Sequence, residues 1–327
     1  MTSVDSGLDR TTSRAAPRGG ARRQDQGRSV GRRRGPRIGR YLTRWLFVAP
    51  AIIFVLVFFG YLIVQNVVMS LQDYTTATFY TGIAPWVGFA NYEKVFSNPI
   101  FVTTVINTAL FTIGSIVLQF GIGLGLALFF KRHFPLSGFL RSLLLLPWLL
   151  PLIASAAVWK WILDQGSGAL NQFLGVFGIQ PVPWLVSPSL ALIAVIGVNV
   201  WLGIPFNTTI LYTGLQAVPE ELYEAAALDG AVGWRAFWHI TWPSIRSVVS
   251  VVIVLGVVYT LKVVDIILGL TGGGPANSTQ TLATWAYQNS FVQFAFGQGA
   301  AISNVLIVVS LVFAIVYLFM NRKEVDE

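Results

Sequence analysis

Charged residues, cysteines and histidines are all scarce in this chain of 327 residues. Only 11% of the residues are charged, whereas about 25% is usual in a soluble domain. The absence of cysteine excludes a disulfide framework, a thiolate metal site and a cysteine nucleophile. The two histidines, His133 and His239, lie far apart in the sequence without matching ligands. The sequence therefore does not predict an enzyme or a metal centre.

Hydrophobic residues make up 54% of the chain, which is typical of a protein surrounded by the lipid bilayer. The formal charge of +8 does not indicate a nucleic-acid partner, because twelve of the 22 Lys and Arg residues precede Trp45. Residues 1–44, rich in Arg, Gly and Ser, are predicted to be a disordered cytoplasmic tail. The apolar run 45–71 is too long for the roughly 7–15 residue core of a cleavable signal peptide.

Six segments are long and apolar enough to cross a membrane, which takes about 20 helical residues. The predicted spans are 45–71, 101–130, 140–163, 189–213, 245–270 and 298–321. The sequence thus predicts an all-α membrane protein whose six-span domain covers 45–322, followed by a short tail, 323–327.

The distribution of Lys and Arg predicts the orientation of these spans, since cytoplasmic loops retain positive charge. With the N-terminal tail inside, nineteen of the 22 Lys and Arg residues lie on the cytoplasmic side. Only Lys94 and Lys160 then lie outside, while Lys262 falls within the fifth span. Both termini are therefore predicted to be cytoplasmic in a multi-pass protein of the cytoplasmic membrane.

The inner connection 217–243 is too polar for the bilayer and too long for a tight turn. Pro219 suits the first turn of a helix, and the glutamates that follow place negative charge at its positive end. Gly230 is expected to end this helix, because glycine accepts a left-handed C-cap. A second helix, 233–241, is predicted to lead to Pro243 at the entrance of the fifth span.

This connection resembles the signature loop of the permease subunits of ATP-binding-cassette (ABC) importers. The signature is Glu-Ala-Ala, three residues, Gly, nine residues, Ile, one residue and Leu-Pro. The residues at those spacings here are Glu224, Ala225, Ala226, Gly230, Ile240 and Pro243, and Trp242 replaces the leucine. The resemblance implies that the ATPase contacts Glu224, Ala225, Ala226, Asp229 and Gly230. The small residues would permit close approach, and Gly230 would form the corner.

The resemblance extends over residues 45–322. Over this range the chain is similar to the carbohydrate importers that include the maltose permeases. Stretches that carry it are NTALFTIGSIVLQFGIGLGLAL from Asn107, LLPWLLPLIASAAVWKWIL from Leu145 and VNVWLGIPFN from Val198. It implies a type I ABC importer permease with a second homologous permease, two ATPase subunits and an extracytoplasmic sugar-binding protein. ATP and magnesium would be bound by the ATPase subunits, so no cofactor is expected on this chain.

Polar side chains inside a span are costly and usually face a cavity or another helix. In this sequence they are Asn107, Gln119, Asn199, Asn207, Thr208, Thr260, Lys262 and Asp265. A sugar site needs amide or hydroxyl groups together with an aromatic face, and Trp148 and Asn199 have these properties. Asn199 could instead bond a neighbouring helix. Lys262 and Asp265, three residues apart, are expected to form a local ion pair.

The resemblance to the maltose permease implies a substrate pocket built from the third, fourth and fifth spans. The implied substrate-binding residues are Trp148, Asn199, Leu202, Gly203, Gly256, Thr260 and Val263. Several of these positions, and Leu152, are more polar in the maltose protein, so the resemblance implies the location of the pocket rather than maltose as its solute. Pro147, Pro151 and Pro205 are expected to kink the spans around it.

The alternative function is an ion-coupled secondary transporter. Such proteins usually show inverted repeats and functional carboxylates near the middle of the membrane. Asp265 is the only acidic residue in a predicted span, and no inverted repeat is evident. The Gly272 to Pro275 run lacks the Lys-Ser/Thr pair of a phosphate-binding loop, which indicates that ATP binds elsewhere. The sequence favours the ATP-driven importer.

Overall fold

The computed structural model describes residues 46, 48–132 and 134–321. The predictions made for the tails 1–44 and 323–327 lie outside these residues. The described chain is helical, and its β-structure is limited to isolated bridges that join Gln72 to Trp86 and Thr75 to Ala295. The predicted all-α membrane fold is confirmed.

Five helices of the described chain are each long and apolar enough to span a membrane. They are α1 (Val48–Ser70), α4 (Ile100–Lys131), α8 (Pro188–Gln216), α10 (Trp234–Leu261) and α13 (Phe296–Asn321). A sixth span is formed if the bent pair α5 (Ser137–Leu149) and α6 (Leu152–Ile162) counts as one. The shorter helices are α2 (Thr76–Thr81), α3 (Ala90–Phe96), α7 (Ala169–Val176), α9 (Glu220–Leu228), α11 (Asp265–Leu270) and α12 (Leu282–Tyr287).

The chain divides into two units after Val57. In the first unit, the described residues form the beginning of α1, whose large apolar side chains are exposed as expected for contact with lipid. The second unit begins at Phe58 and contains the remaining helices, the buried core and both cavities described below.

Helices α4 and α8 form the central pair of the second unit. The buried residues of α4 recur every three or four positions from Thr104 to Phe130 and are mostly small or polar. At Gly123 a Cβ atom would lie only 2.8 Å from the Cβ of Asn207, so the two helices meet where glycine leaves space. Close contact through small residues is typical of helix pairs in membranes, where burial of apolar surface contributes little.

The predicted third span, 140–163, is two helices rather than one. The axes of α5 and α6 meet at 98° across Leu150 and Pro151. Leu150 has an extended backbone (φ −77°, ψ 141°), because a residue that precedes proline is sterically disfavoured in the helical region. Of the three prolines expected to kink spans, Pro151 lies at this break, while α8 continues through Pro205.

The predicted fifth span, 245–270, is displaced toward the N-terminus. Its helix, α10, begins at Trp234 and ends at Leu261. It passes Pro243 without a break, since the turn Phe237–Thr241 is a wider π-helix. Proline has no N–H and its ring clashes with the carbonyl four residues earlier, and the wider turn accommodates both effects.

The end of α10 at Leu261 also overturns the ion pair expected between Lys262 and Asp265. The chain leaves the helix at Lys262 and starts again at Asp265 in α11, so the two residues do not share one helical face. The Lys262 Nζ lies 4.8 Å from the centre of the Tyr259 ring instead. By contrast, α1, α4, α8 and α13 begin and end within three residues of the spans 45–71, 101–130, 189–213 and 298–321.

Candidate functional site

A cavity of about 540 Å³ lies between α4, the α5–α6 break, α8 and the junction of α10 with α11. The residues that line it are Gln119, Pro147, Trp148, Leu152, Asn199, Leu202, Gly203, Phe206, Asn207, Gly256, Tyr259, Thr260, Lys262, Val263, Asp265 and Ile266. Residues on both sides of the break in the third span, Pro147, Trp148 and Leu152, therefore form part of the cavity wall.

All seven residues predicted for the substrate pocket line this one cavity. Trp148 comes from α5; Asn199, Leu202 and Gly203 come from α8; Gly256, Thr260 and Val263 come from α10 and the turn that follows it. Residues more than 100 positions apart in the sequence are thus brought together. Their contact with a solute remains a prediction.

Asn199 is the polar side chain whose bonding bears most directly on the two alternatives considered for it. Its side chain is buried, with 7% of the residue exposed, and its Nδ2 has no hydrogen-bond partner among the described residues. Its backbone oxygen accepts a bond of 2.9 Å from Nε2 of Gln119. A side-chain amide that joined two helices would donate a hydrogen bond to the neighbouring helix. Asn199 lines the cavity, yet its Nδ2 makes no such bond to a described residue.

An aromatic wall faces the same space, and the sequence prediction included only one of its three rings. The centroid of Trp148 lies 6.1 Å from that of Phe206, and Phe206 lies 5.9 Å from Tyr259. Aromatic residues are too common in membrane spans for Phe206 and Tyr259 to stand out without the contacts. A row of rings beside amide groups suits a ligand with one apolar and one hydroxylated side.

Six of the eight polar residues noted within the spans line the cavity, and two do not. Gln119, Asn207, Lys262 and Asp265 join the predicted Asn199 and Thr260. The scarcity of polar side chains in the spans therefore indicated that Gln119, Asn207, Lys262 and Asp265 could line a cavity. Asn107 lies elsewhere, where its Nδ2 donates to the carbonyl oxygens of Asn277 and Gln280. Thr208 is buried but does not line the cavity.

The connection 217–243 contains the predicted short helix and glycine corner. Helix α9 runs from Glu220 to Leu228, and Gly230 has a φ of +76°. The N–H of Gly230 donates to the carbonyl of Ala227 (3.1 Å), and that of Ala231 donates to the carbonyl of Ala226 (2.8 Å). These two bonds form a Schellman motif, which requires the left-handed conformation at Gly230.

Helix α9 has one attached face and one free face. On the attached face, the Tyr223 hydroxyl lies 3.0 Å from Oγ1 of Thr241, and the Lys131 Nζ lies 4.0 Å from the Tyr223 ring centre. The predicted coupling residues are exposed or half-buried: Glu224, Ala225, Ala226, Asp229 and Gly230. Leu228 is 91% exposed beside them. An exposed apolar end on an anchored helix is typical of a docking surface.

The connection between α6 and α8 is ordered by two polar side chains. The Oδ1 of Asp164 accepts bonds from the N–H (2.7 Å) and hydroxyl (3.0 Å) of Ser167 and from the N–H of Gly166 (3.1 Å). The backbone bond from Ser167 is the largest cause of a lowered pKa of the Asp164 carboxyl group. Asn171 is buried and donates to the carbonyl of Val182 (2.9 Å), which closes the loop.

Curated proteins similar to this chain are permease subunits of transport systems. The trehalose/maltose transport system permease protein MalF of Thermococcus litoralis is 36% identical over 278 residues, which cover 85% of this chain and 93% of that protein. The sulfoquinovosyl glycerol transport system permease protein SmoG of Agrobacterium fabrum is 33% identical over 286 residues, covering 87% and 92%.

The fold is also found in a solved structure, the crystal structure of a bacterial alginate ABC transporter in complex with an alginate pentasaccharide-bound periplasmic protein. A chain of that complex superposes with a TM-score of 0.73 at 22% identity, covering 88% of this chain and 96% of that one. The family described as binding-protein-dependent transport system inner membrane component matches residues 119–324. This chain belongs to that family and is a permease subunit of an ABC importer.

Proposed function

We propose that this permease moves a sugar or sugar derivative through the cavity described above. The observation that carries the proposal is the unpartnered Nδ2 of buried Asn199 in a wall that also contains the Trp148, Phe206 and Tyr259 rings. The volume of about 540 Å³ lies within the range of roughly 300–1,000 Å³ usual for small-molecule sites. The printed names of the relatives, which refer to trehalose, maltose and sulfoquinovosyl glycerol, support the same class.

Within the class of sugars and sugar derivatives, the charges in the cavity favour an uncharged member over an anionic one such as sulfoquinovosyl glycerol. Of the described residues that line the cavity, only Lys262 and Asp265 carry full formal charges, and these are opposite. An isolated ionised solute would have to lose its hydration shell without a surplus of opposite charge to replace it. Hydroxyl groups can instead exchange hydrogen bonds with water for bonds with the amides of Asn199 and Asn207.

The energy for transport would come from partner subunits that contact α9. In this proposal two ATPase subunits bind ATP and magnesium, a second homologous permease completes the pathway, and an extracytoplasmic binding protein delivers the solute. Movement of the ATPases would displace α9, whose Tyr223 contact with Thr241 connects it to α10 and thus to the cavity. Rigid helices that rock about such a site give alternating access.

Replacing Asn199 with alanine tests the proposed solute contact. The loss of one hydrogen-bond partner for a buried solute hydroxyl costs about 1–3 kcal/mol, so uptake at low solute concentration should fall about five- to hundred-fold. The measurement is sugar uptake per assembled complex in proteoliposomes, with the detergent stability of each variant recorded beside it.

The matched control is Asn304→Ala. Asn304 is buried to a similar degree, 8% exposed, but its Oδ1 accepts from Asn66 (2.7 Å) and its Nδ2 donates to Tyr92 (2.9 Å). This variant should lose stability and keep its uptake per complex. If Asn199→Ala behaves in the same way as the control, its amide serves packing and the proposed solute contact is wrong.

Reporter fusions test the proposed orientation, which places both termini in the cytoplasm. Fusions after Arg44, Arg235 and Lys323 should report the cytoplasm, and one after Pro275 should report the exterior, because the Lys and Arg distribution retains the basic segments inside. Alkaline phosphatase and a fluorescent protein serve as complementary reporters. A cytoplasmic signal after Pro275 would contradict the six-span arrangement.

A further inference from the structure

A second cleft of about 540 Å³ lies where the end of α4 meets the connection between α9 and α10. Its residues do not overlap with those of the first cavity. Lys131, at the end of α4, and Arg132, the residue that follows it, line the cleft, and none of the described residues in its lining is acidic. The glutamates of α9 are likewise absent from its wall. The cleft is therefore a locally cationic site.

Neither cation is neutralised by a carboxylate within the described residues. Lys131 rests on the Tyr223 ring at 4.0 Å, and the structure gives the Arg132 side chain no ion pair with a described residue. Such a pair of cations at the end of a membrane helix can be satisfied by an anionic ligand with several acceptor oxygens. A phosphate group has this chemistry.

The rim of the cleft has the composition of the membrane interface. Trp234 is 72% exposed and stacks on Phe237 with ring centres 5.3 Å apart, and Trp238 packs edge-on against both rings. Trp and Tyr concentrate at the depth of the lipid headgroups. Near Lys131 and Arg132 in sequence, Phe129 and Leu136 are also exposed. The surroundings therefore offer apolar surface for acyl chains as well as charge for a headgroup.

We propose that this cleft binds the phosphate headgroup of an anionic phospholipid of the inner leaflet. Lys131 and Arg132 would hold the phosphate, and Trp234 and Phe237 would flank the glycerol backbone. The exposed apolar side chains favour a lipid over free phosphate, because free phosphate has no apolar surface to bury against them. The proposal goes beyond sugar transport, but it rests on the cytoplasmic position proposed for this loop.

The site bears on coupling through Tyr223. This residue belongs to α9, lines the cleft, contacts Lys131 and bonds Thr241 in α10. A phosphate held at Lys131 would lie beside the contact that attaches α9 to the membrane helices. Anionic lipid in the cleft would therefore restrain the helix that the ATPase subunits are proposed to move.

Native mass spectrometry of the assembled complex, with the full-length permease, tests the site. The probes are phosphatidylglycerol and phosphatidylcholine with identical acyl chains, and inorganic phosphate serves as competitor. The double variant Lys131→Gln/Arg132→Gln should bind phosphatidylglycerol about 30-fold more weakly, about fivefold for each cation that faces an anionic headgroup. The control Lys94→Gln/Arg235→Gln removes the same charge outside the cleft lining and should retain the lipid.

The wild-type complex should retain phosphatidylglycerol in preference to phosphatidylcholine, and inorganic phosphate should not displace it. Equal retention of the two lipids by the wild type, or undiminished retention by the double variant, would overturn the proposal. Displacement by inorganic phosphate would also overturn it, in favour of a soluble phosphate ligand. If the glutamine variant does not assemble, the charge-retaining exchange Lys131→Arg/Arg132→Lys must retain the lipid for the proposal to stand, and the wild-type competition decides independently.

Discussion

Replacing Gly230 with proline should reduce ATP-driven uptake to the background seen without ATP, while the permease remains in the membrane. Gly230 has a φ of +76°, and proline is restricted to a φ near −65°. Proline would also remove the N–H that donates to Ala227. Because both bonds of the Schellman motif depend on this conformation, the corner after α9 cannot form. The cavity residues are untouched, so the defect should be in coupling.

Ala226→Asp tests the same surface by a different change. Ala226 is half-buried, and a carboxylate there places a charge against the proposed ATPase contact and near Glu224. Uptake should again fall to background, and less ATPase subunit should co-purify with the permease.

Gly230→Asn is the matched control for both changes, because asparagine tolerates the left-handed conformation and keeps the N–H. It should transport at a rate close to that of the wild type. Normal uptake by both Gly230→Pro and Ala226→Asp would show that this loop does not couple ATP hydrolysis to transport.

The connection 217–243 could be predicted from sequence because its chemistry is local. A proline before glutamates starts α9, and a glycine in the left-handed conformation ends it, within eleven residues of each other. The same holds for the four spans whose ends agree with prediction, since length and hydropathy are properties of a contiguous segment. Features that depend only on residues close together in sequence could therefore be predicted.

The errors occur where the chain bends. The 98° turn at Pro151 interrupts a segment that is apolar on both sides, so hydropathy does not reveal it, whereas the end of α10 at Leu261 is followed by the charged residues Lys262 and Asp265. Pro243, by contrast, is passed without a break because a π-helical turn precedes it. Whether a proline in a membrane helix breaks it depends on neighbouring turns that can relieve its missing hydrogen bond, which composition alone does not reveal.

In the cavity, too, the sequence identified residues, but the contacts between residues distant in sequence required the structure. The resemblance located Gly203, but it did not explain why a glycine stands there. The structure supplies the reason: a Cβ on Gly203 would overlap the carboxamide of Gln119, which reaches across from α4 and donates to the Asn199 carbonyl. That hydrogen bond joins residues 80 positions apart in sequence. Gln119 was recognised only as a polar residue within a span.

Gly203→Ala should therefore lower uptake per complex by about five- to hundredfold. The new methyl group displaces the Gln119 carboxamide, so the buried Gln119 amide loses its bond to the Asn199 carbonyl, while that carbonyl keeps its backbone bond within α8. One buried donor left unpaired costs about 1–3 kcal/mol, which corresponds to about a five- to hundredfold change. The displaced carboxamide also enters the space proposed for the solute.

Gly256→Ala provides the comparison within the same cavity. Gly256 lines the wall from α10, and the atom nearest to its added Cβ would be Cγ1 of Ile116 at 3.8 Å, an ordinary contact. Alanine in a helix is favoured over glycine by about 0.5–1 kcal/mol, so this variant should keep its uptake and gain slightly in thermal stability. Uptake and melting temperature of the two alanine variants, measured on equal amounts of complex, separate steric displacement of Gln119 from a general intolerance of methyl groups in the cavity. Equal loss of uptake in both variants would contradict the specific role assigned to the Gln119 contact.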